Sequence, residues 1–181
     1  MMIFLSKTAV WINQLNYRVG QLVSWLTLLL VALVIIVVLS RYLLGIGSIA
    51  IQESISYVHA IIFMLGLAFT LQRGGHVRVD IFYREFSVRR KAMVDLMGTI
   101  IFVFPFCGLI LFGSWDYVMA SWSIKETSSE TGGIAAVYWL KTLMIIMPIT
   151  LALQGIAQII DSILLLTASA EIHQEGESKD G

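Results

Sequence analysis

Charge is what this sequence has least of. Of its 181 residues only 13% are Asp, Glu, Lys or Arg, against 58% that are hydrophobic, a balance far from that of soluble domains. Twelve cations offset twelve anions, so no net field draws the chain to nucleic acid. The single cysteine, Cys107, excludes an intrachain disulfide and, placed in an apolar run, is expected to be a buried packing residue. Only three histidines occur, His59, His76 and His173, at unrelated depths. His59 has no second intramembrane histidine to complete a haem pair, and no nucleophile with its base or metal constellation is in evidence, so no catalytic, cofactor or metal site is expected.

What the chain has instead is long apolar runs. A spanning helix needs about 20 mostly apolar residues, and four segments qualify, at about 19–44, 49–72, 91–122 and 135–166. The expected fold is an all-α integral membrane protein: one four-helix domain over 1–166 with short amphipathic helices at the interface, then a disordered cytoplasmic tail over 167–181. Residues 1–18 place Phe4, Leu5, Trp11, Ile12 and Leu15 at helical spacing, which predicts an uncleaved helix along the membrane surface. Arg41 and Tyr42 read as interfacial anchors, Gly45 and Gly47 as a turn, and Gly74-Gly75 as a sharp exit from the second span. After it, Val79, Phe82, Tyr83 and Phe86 predict a second surface helix, with His76 and Asp80 fixing the turn, and Ser87 is a candidate N-cap. Pro105 is expected to kink the third span, and Gly98, Gly108 and Gly113 to allow close helix approach.

Polar residues inside the spans are the candidate sites. Gln52, Ser56 and His59 recur along the second span with Glu53 beside them, and Gln154, Gln158 and Asp161 form a stripe on the fourth. A carboxylate in a span is a functional candidate by default, while the plainer reading, a hydrogen bond to a neighbouring helix, is favoured. The polar loop SIKETSSETGG separates spans three and four.

The cations are unevenly placed. Lys7, Arg18, six residues between Arg73 and Lys91 (Arg78 among them) and Lys179 fall on one side of the expected topology, and Arg41, Lys125 and Lys141 on the other. Nine against three predicts both termini and the central loop in the cytoplasm.

The stretch LGLAFTLQRGGHVRVDIFY (residues 65–83), Gln52-Glu53 ahead of it, the ETGG turn and LALQGIAQ (residues 151–158) together resemble the small, DctQ-like membrane subunit of tripartite ATP-independent periplasmic (TRAP) transporters. The resemblance implies a scaffold subunit in the bacterial inner membrane. Its partners would be a large membrane subunit that binds substrate and sodium, a periplasmic substrate-binding protein and the surrounding lipid. The substrates implied are organic acids. Neither discontinuous hairpins nor a repeated half, the usual marks of a transport site, occurs in the sequence. An autonomous small channel or carrier, and a membrane redox or enzyme subunit, are the alternatives.

Overall fold

The computed structural model describes residues 2–75, 83 and 85–177, with side chains from residue 4 to residue 167. Among them every regular element is a helix. Helix α1 spans Met2–Leu43, α2 Ile49–Gln72, α3 Val88–Gly98, α4 Phe104–Ser123 and α5 Val137–Glu177, and α3 runs into α4 through a π-helical turn, Thr99–Val103. Four spans are long and apolar enough to cross a membrane: α1, α2, the α3–α4 rod and α5.

Residues 1–18, expected as a separate surface helix, continue unbroken into the first span. The reason lies on the other side of the helix from Phe4, Trp11 and Leu15, which are 75%, 62% and 40% exposed. Ala9, Ile12, Asn16, Gly20 and Val23 are all buried, at steps of three and four that cross residue 18 without a change of phase. At 1.5 Å per residue, α1 is about 63 Å long, roughly twice the hydrocarbon thickness, so it tilts or projects. The tail from Thr167, expected to be disordered, likewise continues as helix to Glu177. No proline follows the span, and Ala168, Ala170 and Glu171 propagate a helix already nucleated.

Helix α5 is the hub. It packs against α1, α2, α3 and α4, and α1 pairs with α2. One apolar cluster joins Ala9 and Ile12 of α1 to Ala157 and Ile160 of α5, and a second joins Leu71, Cys107, Met147 and Leu151. Cys107 is buried and free, as its surroundings predict.

Local chemistry accounts for the element ends. Gly45 takes φ +65°, and the amides of Leu44 and Ile46 return to the Ser40 carbonyl, closing α1. Gly74 also takes φ +65°, with the Gly75 amide on the Thr70 carbonyl 2.9 Å away. Ser87 caps α3, its Oγ accepting from the Arg90 amide at 3.4 Å. Pro105 cannot donate to the carbonyl four residues back, and the chain answers with the wider π turn just before it rather than a break.

The close-approach glycines are not those expected. A Cβ on Gly98, Gly108 or Gly113 would meet nothing within 4 Å, whereas one on Gly20 would lie 2.7 Å from Phe69 Cβ, and one on Gly155 3.1 Å from Thr99 Cγ2. Gly20→Leu should therefore destabilise the protein by about 1–3 kcal/mol through overpacking against α2. Gly108→Leu should stay within about 0.5 kcal/mol. Thermal unfolding in detergent checks both, and equal midpoints for the two variants would refute the contact.

Candidate functional site

Glu53, Gln154 and Asp161 lie toward the two ends of the bundle. At one end, Glu53 stands in the second turn of α2, and both its carboxylate oxygens are used. The Ser128 hydroxyl donates to Oε1, and the Ile134 amide donates to Oε2 at 2.6 Å. Ser128 Oγ in turn accepts from the Glu130 amide at 3.1 Å, and the Ser128 amide donates to the Ile134 carbonyl at 3.1 Å. The loop from 124 to 136 is thus folded over the carboxylate. Its glycines are dictated by that closeness: Gly132 takes φ +83°, and a Cβ on Gly133 would stand 2.8 Å from Glu53 Oε1. Gln52 is not part of this arrangement; it lines a small void of about 60 Å³ with Val37, Ser40 and Ile46.

Beside that lock the loop is fastened a second time. Lys141 Nζ pairs with Glu126 Oε2 at 2.5 Å and sits 3.9 Å from the Tyr117 ring centroid. Trp122 Nε1 donates to Thr142 Oγ1 at 2.9 Å, with the Tyr138 ring edge-on at 4.7 Å and Lys125 Nζ 4.4 Å from the indole. The Lys141 ammonium bonded to Glu126 holds that carboxyl below its ordinary value.

At the other end, Asn13 and Asn16 of α1 meet Gln154 and Asp161 of α5. Asn16 Nδ2 donates to Gln154 Oε1 at 2.7 Å, Gln154 Nε2 to Asn13 Oδ1 at 2.8 Å, and Asn13 Nδ2 to Asp161 Oδ2 at 3.2 Å. Gln72, the last residue of α2, donates to the Asn13 carbonyl at 2.5 Å. Three helices are tied through one asparagine. Gln158, expected in the same stripe, is not tied in. Its Oε1 is buried without a partner, in the wall shared by a polar cavity of about 510 Å³ and an apolar groove of about 890 Å³.

Arg73 lies over the Tyr17 and Phe69 rings at 5.0 and 5.4 Å. Tyr83 and Phe86 line the groove, with the Tyr83 hydroxyl donating to Asp95 Oδ2 at 2.8 Å. His76, Arg78 and Asp80, with the surface helix expected around them, lie outside the described residues. No group of three His, Cys, Asp or Glu suited to a metal is found among those described.

Against this geometry, the family model described as tripartite ATP-independent periplasmic transporters, DctQ component, matches residues 30–165. The chain belongs to the DctQ family. It is therefore a membrane component of a tripartite transporter, a class of protein that is not an enzyme, and its partners are further membrane and periplasmic subunits. No curated protein and no solved structure matches it. The matched span holds Glu53, its Ser128–Ile134 lock, Gln154 and Asp161, but begins after Asn13 and Asn16. The α1 half of the second cluster was also what sequence reasoning missed, because polar residues that face a partner helix and polar residues that face water share one helical period. The register of the two asparagines with Ala9 and Gly20 was the available signal.

Two outcomes are expected. In a double-mutant cycle, Asn13→Leu and Gln154→Leu should couple by about 0.6–1.7 kcal/mol in unfolding free energy. Additive effects would show that the amides do not act as a pair. Glu126, its pKa lowered in the fold, contributes stability that is present above the ordinary glutamate range and lost as pH falls through the lowered value. Glu126→Gln should flatten the acid side of the stability profile and leave its slope at neutral pH unchanged. A variant with the wild-type acid slope would show that this pair does not carry it.

Proposed function

We propose that this DctQ-family chain is the small, scaffold-type subunit of a TRAP transporter. It braces a large membrane subunit during sodium-coupled uptake of organic acids that a periplasmic binding protein delivers. The observation that carries the reading is the use made of the intramembrane polar groups. Glu53, Gln154 and Asp161 are bonded inside the chain, at two separate ends, so they hold helices together rather than converge on a shared ion or substrate position. The charge asymmetry supports an inner-membrane orientation with both termini and the 73–91 segment in the cytoplasm and the Glu53 lock outside.

Purified alone in liposomes the chain should give no sodium-dependent uptake, and uptake should appear only with the large subunit and the binding protein present. Transport by the chain alone would establish it as a carrier. A cysteine replacing Ser128 should react with an impermeant maleimide from the periplasm, and one replacing Ser87 only after the cytoplasmic side is opened. The opposite pattern would invert the topology.

A further inference from the structure

We propose that the open face of α2, from Gln52 through Ser56, His59 and Phe63 into the apolar groove beside α5, seats one spanning helix of the large partner subunit, which brings a hydrogen-bonding side chain to His59. This rests on the scaffold reading and adds where, and by what chemistry, the partner is held.

Residues 52, 56, 59, 63, 66 and 70 recur at steps of three and four and so share one face of α2. Ser56, His59 and Phe63 are exposed on it, Phe63 by 59%. The His59 imidazole has no hydrogen bond, ion pair or ring contact with any described residue. Along the axis it lies about 9 Å inward of Glu53 and about 20 Å from Gln72, too deep for a headgroup to reach the ring. Acyl chains offer it neither donor nor acceptor, and polar side chains at that depth face protein or a water-filled cavity. The stripe from Gln52 to Thr70 is about 27 Å long, close to the thickness of a hydrocarbon core. Its occupant is accordingly a helix crossing the whole bilayer, not a lipid filling one leaflet.

The room is present. A Cβ on Gly66 would meet nothing within 4 Å, and small residues let helix backbones approach. In the inner half the face opens into the groove of about 890 Å³, walled by Leu67, Phe102 and Phe106 over Met147 and Leu151. A polar contact at His59 fixes the register of the incoming helix, and the apolar groove supplies its contact area.

The test uses the complex co-expressed with its large subunit, with photoreactive benzoylphenylalanine replacing Ser56 or Phe63, and replacing Val31, 51% exposed on α1, for comparison. Adducts to the large subunit at 56 and 63 are expected. If the large subunit co-purifies but adducts form at Val31 alone or not at all, the groove is lipid-facing; the inference then fails while the scaffold reading stands. Adducts joining two copies of this chain overturn it as well. If no large subunit co-purifies, the scaffold reading itself falls. Separately, His59→Leu should lower recovery of the partner about three- to thirty-fold, and His59→Gln should restore most of it. Equal recovery with Leu and His would show that no bond is made there.

Discussion

A membrane offers an unpaired polar group no water, and this fold is built around satisfying one such group. Glu53 sits inside α2 with two oxygens to fill, and the chain fills them with a backbone amide and a hydroxyl from a loop some 80 residues away in sequence. Closing the loop over the carboxylate sets where α5 begins. The Glu126–Lys141 pair and the Trp122–Thr142 bond then align the rod ending in α4 with α5. One carboxylate thereby positions three of the four spans at that end.

The far end works on the same terms with neutral groups. Asn13 accepts from Gln154, donates to Asp161 and lends its carbonyl to Gln72, so α1, α2 and α5 are fixed beside the apolar cluster of Ala9, Ile12, Ala157 and Ile160. Between the two ends α5 carries the packing, and close contact depends on Gly20 and Gly155. Hydrogen bonds at both ends, with apolar contact between and beside them, hold the four spans to one another. Among the described residues each span runs on without a break, the third through its π turn. His59, without a polar partner among the described residues, lies on the exposed face of α2.

Much of this was legible in the sequence. The four spans follow from length and hydropathy alone, and Ser87, Gly45 and Gly74 announce their helix ends through turn and cap chemistry. Glu53 stood out because a carboxylate in an apolar run demands a partner, and the GG of ETGG marked the turn that provides one. Which donors it meets was not legible, since Ser128 and Ile134 reach it only through the tertiary course of the loop. Asn13 and Asn16 were hidden for a different reason. Polar residues that face a partner helix and polar residues that face water give the same period, and only the continuity of the buried stripe from Ala9 to Val23 separates them. The glycines of the third span misled because small residues permit close approach without requiring it, and no neighbour within the chain takes up the space.

The central claim, that Glu53 is a structural lock and not part of the transport chemistry, is tested most directly by Glu53→Gln in the assembled transporter. The amide oxygen can still accept from the Ile134 amide, and its NH₂ can donate to Ser128 Oγ, so most of the lock survives without the charge. Assembly and sodium-coupled uptake should both stay near wild type, while Glu53→Leu loses assembled complex. Loss of uptake in Glu53→Gln with the complex fully intact would contradict the account and place the carboxylate in the transport path.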